Sequence, residues 1–174
     1  MASTSLGSWL AEFCKRHDDF KNGTLPGKLM KSYMKGRHEL CGIMLMAQRL
    51  GIEPGAVLRG ALRVARAYQI EFGFPSGPAT LTTFDLSTSG LSVVVTEPPA
   101  TGTTLWMRLK VDSGADIVGR CQVVKIIPKQ EGILMGVSFE SLSADARDKL
   151  ETVICDAIVT EIRSAQRPKR AAAH

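Results

Sequence analysis

Hydrophobic positions along the chain follow two periods. Near the front, Leu6, Trp9, Leu10, Phe13, His17 and Phe20 recur at steps of three and four, which sets them on one side of a helix. Thr4 or Ser5 can cap its first turn. The stretch "KNGTLPG" at 21–27 interrupts the pattern with Asn-Gly and Pro-Gly. A second, longer helix is expected over about 28–50, with Met30, Tyr33, Met34, Arg37, Leu40, Cys41, Met44 and Leu45 on its buried side. Its methionines read as adaptable core filler or as a partner face. "GIEPG" at 51–55 ends it.

From Tyr68 the period becomes two. Tyr68, Ile70, Phe72 and Phe74 alternate with Gln69, Glu71 and Gly73, which describes a half-buried strand. "ATLTTFDLS", "LSVVV", "TLWMRLKV", "IVGRCQVVKII" and "ILMGVSFE" follow as further strands, separated by "PSGP", "EPPATG", "DSGAD" and "PKQEG". In the fourth strand Leu105, Met107 and Leu109 face one way, and Trp106, Arg108 and Lys110 the other; in the sixth, Ile133, Met135, Val137 and Phe139 share a face. Six short strands with regular turn signals predict a small antiparallel barrel or sandwich.

The period then returns to that of a helix. Ser143 is a good N-cap, Asp145 complements the helix dipole, and Leu150, Val153, Ile154, Ala157, Ile158 and Ile162 form one stripe. That helix is expected to close an end of the sheet or to pair with the front helices. The predicted organisation is a helical extension over 1–58, a mainly β domain with its closing helix over 59–163, and a basic, flexible tail over 164–174. The fold class is mainly β, α+β overall.

Composition adds exclusions. Hydrophobic residues make up 44% of 174 and charged residues 22%, as in ordinary globular chains. No basic, apolar and cleavable leader opens the sequence, and no apolar run is long enough to span a bilayer, so a cytoplasmic protein without membrane insertion is expected. Cys14, Cys41, Cys121 and Cys155 are scattered, without metal-ligand spacing, and read as reduced thiols. No nucleophile–base pair, carboxylate pair or phosphate-cradling glycine loop emerges, and neither an enzyme nor a metal cofactor is expected.

Charge is uneven. Residues 1–66 hold 11 Lys and Arg against 5 Asp and Glu, whereas 67–174 hold 11 against 12. A basic front suits an anionic ligand or partner, and a solvated helix face gives the same count. Trp106 beside Arg108 and Lys110 on one strand face is too little to point to nucleic acid.

Two stretches complement one another. "DLSTSG" at 85–90 offers Asp85, Ser87 and Gly90 at a strand end, and "RGALRVAR" at 59–66 supplies Arg59, Arg63 and Arg66 upstream. A helical arginine segment would put Arg59 and Arg63 on one face; an irregular lead-in to the first strand would bring them to the end of the second. Taken singly, the halves read as a turn with local backbone bonds and as a solvated basic face. Together, R-x-x-x-R followed by D-x-S-x-x-G resembles the signature of PilZ domains. "GLSVVV", "GTTLWMRLKV", "GRCQVVKI" and "MGVSFESLSADARDKLETVI" resemble that family's remaining strands and closing helix, so the resemblance covers roughly 59–160.

The resemblance implies a six-stranded antiparallel β-barrel that binds the bacterial second messenger cyclic di-GMP. Arg59 and Arg63 would take guanine and phosphate, since arginine can bind both bidentately. Asp85, Ser87 and Gly90 would form the opposite lip, with Gly90 supplying a positive φ and a close approach to the backbone. Arg66 would be an auxiliary contact. The implied role is a signalling adaptor for motility or related outputs, passing ligand binding to an unknown protein partner through the N-terminal helices. A PilZ module that contacts proteins without binding nucleotide is the alternative, and a homo-oligomer through the Met-rich helix is compatible with both.

Overall fold

The computed structural model describes residues 5–52, 60–111 and 116–166. They fall into two compact units. One holds the strands and the helix that follows them as far as Ala157; the other holds the two N-terminal helices and that same helix from Ile158 onward.

In the first unit, β1 (Arg63–Val64), β2 (Gln69–Phe74), β3 (Gly77–Ser87), β4 (Gly90–Val95), β5 (Thr104–Leu109), β6 (Ile117–Lys129) and β7 (Gly132–Ser141) form one antiparallel sheet. Its order is β1-β3-β2-β5-β6-β7-β4, and β4 also pairs with β3. Strands β2 to β7 therefore close into the six-stranded barrel, and closure leaves no edge among them. The alternation predicted from the sequence decides what lines it. Ile70, Phe72, Met107, Leu109, Cys121, Val123, Met135 and Val93 are fully buried, while the intervening Trp106, Val118, Val124 and Val94 face outward. Ile133 and Phe139, at the two ends of β7, are only half-buried.

β1 is the addition that periodicity did not reveal. Two residues carry no period, so "RVARA" could be read as helix or as extended chain. It is extended, and Arg63 and Val64 pair with Ser87 and Leu86.

α3 (Ala144–Gln166) begins as expected: the Ala146 amide donates to Ser143 Oγ at 3.1 Å, and Asp145 sits in the first turn. Leu150, Ile154, Ala157 and Ile158 are buried along it. It runs three residues beyond 163, with the Ser164 hydroxyl bonded back to the Thr160 carbonyl at 2.9 Å.

In the helical unit, α1 (Leu6–Lys21) is capped by Ser5, whose Oγ accepts from the Ser8 amide at 3.2 Å, and Asn22 and Gly23 turn the chain toward α2 (Gly27–Leu50). The two helices are joined by aromatic rings. Phe13 lies 5.7 Å from Trp9 and 5.8 Å from Tyr33, and Phe20 lies 4.7 Å from Tyr33. The close approach needs Gly36, where a Cβ would stand 3.0 Å from the Phe13 ring. His17 Nδ1 and the Tyr33 hydroxyl share a buried hydrogen bond of 2.9 Å. Arg163 of α3 donates to Asp18 at 2.6 Å and to the Cys14 carbonyl at 3.4 Å.

The buried side of α2 differs from the expected one. Tyr33, Gly36, Arg37 and Leu40 are covered, but Met30 and Met34 are 37% and 36% exposed. The covered stripe follows Tyr33, Gly36, Arg37 and Leu40 and is too narrow to take in the methionines beside it. Among the described residues no helix is long and apolar enough to cross a membrane.

Candidate ligand-binding site

The site is built where β1, β3 and β4 meet. Along β3, β1 continues the line of β2 with a break between them. Val64 pairs with Leu86 and Gln69 with Thr82, so four residues, 65–68, face three, 83–85. The extra residue makes a bulge, and Thr83 fills it. Its hydroxyl donates to the Arg66 carbonyl at 2.7 Å and accepts from the Tyr68 amide at 2.9 Å. The Thr83 amide in turn donates to the Tyr68 carbonyl at 2.9 Å. Two backbone groups that lost their ladder partners are thereby satisfied. A second irregularity lies on the β4 side of the same stretch, where Thr83 pairs with Val93 and Asp85 with Ser92, leaving Phe84 as the additional residue. Phe84 is 60% exposed.

These bulges set the arginine segment against "DLSTSG". Val64 and Leu86 point into the barrel, so Arg63 and Asp85 point out. Arg63 sits opposite Ser87, diagonal to Asp85, and such a diagonal is within reach of a long side chain. Arg63 Nη1 lies 3.3 Å from Asp85 Oδ1 and 3.1 Å from Oδ2. One nitrogen thus straddles both oxygens, instead of two nitrogens meeting them as a fork. The Arg63 side chain is 44% exposed, so its pair with Asp85 contributes at most ~1 kcal/mol.

Ser87 is buried, and its hydroxyl holds the β3–β4 connection together. It donates to the Gly90 carbonyl at 2.9 Å and accepts from the Ser89 amide at 3.3 Å. Gly90 departs from the reason expected for it. Its φ is not positive. Instead it pairs with Ser138 of β7, and a Cβ there would lie 2.1 Å from the Val137 carbonyl oxygen. Glycine is required because β7 passes too close for any side chain. Arg66 is half-buried next to the Thr83 bridge. Arg59 lies outside the described residues.

Sequence reasoning missed Thr83 and Ser92, the two neighbours that shape this corner. "ATLTTF" gave no sign of which threonine would meet a bulge, because a bulge is a property of the paired strands. Cys121 and Cys14 are poor sources of a thiolate. Burial pushes the Cys121 thiol up to about 12, with Glu140 adding to the rise. Burial also raises Cys14, an effect of Asp18 in the same direction being opposed by Arg163.

A profile of the PilZ domain family matches residues 58–154, more than half of the chain. The chain belongs to the PilZ domain family. Among curated proteins none matches the sequence. Solved structures share the fold. The Bacillus subtilis inhibitor of motility MotI/DgrA is 16% identical with a TM-score of 0.52, over 65% of this chain and 55% of that one. The K. pneumonia MrkH–c-di-GMP complex is 15% identical with a TM-score of 0.56, over 63% and 56%. The PilZ domain of Escherichia coli YcgR with c-di-GMP is 12% identical with a TM-score of 0.53, over 63% and 98%. The chain thus spans just over half the length of the first two and nearly all of the isolated domain.

Proposed function

We propose that this chain is a receptor for cyclic di-GMP that signals through a protein partner and is not an enzyme. The observation that carries the reading is the meeting of Arg63 with Asp85, 22 residues apart in sequence, at the β1–β3–β4 corner of a PilZ barrel. Two solved PilZ proteins with this fold hold c-di-GMP. The ligand carries two phosphates and two guanines. Arg63 leaves Asp85 and turns its fork to phosphate or to guanine O6 and N7. Arg59 is the second arginine of the pair, and Arg66, held by its carbonyl to Thr83, is auxiliary. Asp85 accepts guanine N–H donors. Ser87 and Gly90 shape the lip, one by closing the turn and the other by letting β7 approach.

Signalling requires the ligand to favour one arrangement over another. The arginine segment follows the helical region along the chain, so fixing it alters what α1 and α2 can bind. Motility is the output to assay first, because the Bacillus subtilis neighbour is an inhibitor of motility.

Isothermal titration of cyclic di-GMP into the whole chain tests the reading, beside an Arg63→Ala variant. Saturable binding that falls at least tenfold in the variant is expected, as for loss of a charge-assisted contact. Absence of binding by the unaltered chain favours the second reading, a PilZ module that works through protein contacts alone. The complete use of the Ser87 hydroxyl within its own turn is what speaks for that alternative.

A further inference from the structure

Beside the Arg63–Asp85 pair the barrel holds a polar group without a partner. Ser92 pairs directly with Asp85 across β3 and β4, which turns both side chains to the outer side of the sheet. The neighbours agree: Leu91 and Val93 are buried inside, and Val94 is open outside. Ser92 itself is only 2% exposed. Its Oγ is the buried side-chain oxygen that lacks a hydrogen-bond partner among the described residues. On its other flank Ser92 pairs with Gly136, which has no side chain to engage the hydroxyl. A buried hydroxyl in this state is a cost to the fold, and such exceptions call for an explanation.

The explanation lies one strand away. The Asp85 side chain is itself mostly buried, at 17% exposed, and Arg63 is the cation beside it. A ligand that recruits Arg63 strips that carboxylate of its cation in a poorly solvated corner. We propose that Ser92 is a positioning residue for Asp85 in the ligand-bound state. As Arg63 leaves, the Ser92 hydroxyl donates to the Asp85 carboxylate and holds it with its other oxygen toward the guanine edge. The unused hydrogen bond of the free protein becomes a charge-assisted one in the complex, so its free energy appears in affinity rather than in stability. This inference rests on the reading of the corner as a cyclic di-GMP site.

The test titrates cyclic di-GMP into the whole chain, unaltered and as Ser92→Ala, and measures thermal unfolding of both without ligand. Ser92→Ala should weaken binding by about tenfold and leave the midpoint of unfolding unchanged or slightly raised. In an Asp85→Asn background the same change should cost less than about threefold, because a neutral amide accepts a weaker bond than a carboxylate. Unaltered affinity in Ser92→Ala, beside normal binding by the unsubstituted chain, would overturn the role of Ser92 alone. A fall in ligand-free stability that accounts for the lost affinity, or an equal loss in both backgrounds, would also overturn it. No binding by the unsubstituted chain would instead remove the receptor reading on which it rests.

Discussion

The barrel and the helical pair solve the burial of apolar residues differently. Each barrel strand gives one face to the core, and closure supplies six strands' worth of such faces to a common centre. The helical pair has a single stripe of contact, built from Trp9, Phe13, Phe20 and Tyr33. Several apolar residues off that stripe stay open: Leu6, Ile43, Met46 and Leu50 are all exposed, and they gather along one groove between α1 and α2 with Trp9. A closed sheet completes its own core, whereas two helices cover one another on only one side. The consequence is a division of labour in the sequence. Barrel residues are constrained by backbone approach, helical residues mainly by ring contacts and by buried polar groups such as the His17–Tyr33 pair.

Substitutions can break or sharpen this contrast, and Trp9 and Trp106 give each region its own fluorescent reporter. The largest effect is expected at Gly90. Gly90→Ala drives a Cβ into the Val137 carbonyl, which neither strand can yield without losing ladder bonds, and barrel unfolding should be favoured by more than ~3 kcal/mol. Urea denaturation followed through Trp106 measures it, and a loss below ~1 kcal/mol would show a corner softer than the contrast requires.

Tyr33→Phe should act in the helical region and more mildly. It keeps the ring stack but removes the hydroxyl bonded to His17, leaving a buried imidazole nitrogen without that bond at a cost of about 1–2 kcal/mol. The Trp9 signal should shift to lower denaturant and the Trp106 signal should not. Ile43→Gln is expected to do least, within ~0.5 kcal/mol, because its side chain is 51% exposed. A clear destabilisation there would mean that the open helical face is covered in solution, and analytical ultracentrifugation of the same variant would show whether a second copy covers it.

Much of the fold was legible because it depends on local pattern. Alternation in "TLWMRLKV" assigned Leu105, Met107 and Leu109 to the core, and Ser143 with Asp145 marked the start of α3. The positions that failed are those decided by a neighbour. Met30 and Met34 fit a helical period, yet how much of that face is covered depends on what packs against it. Gly90 was read as a matter of its own φ, and it is fixed by the carbonyl of another strand.

The same division holds at the candidate site. By itself the sequence determined the six strands and the closing helix, because periods, caps and turn residues act over a few neighbours. Only the tertiary structure decided that Arg63 lies against Asp85, that Thr83 bridges the bulge behind Arg66, and that Ser92 stands unpartnered across from the carboxylate. Those three facts follow from strand register and from two bulges. Register is set by the pairing of distant segments, and a shift of one residue turns every side chain to the opposite face.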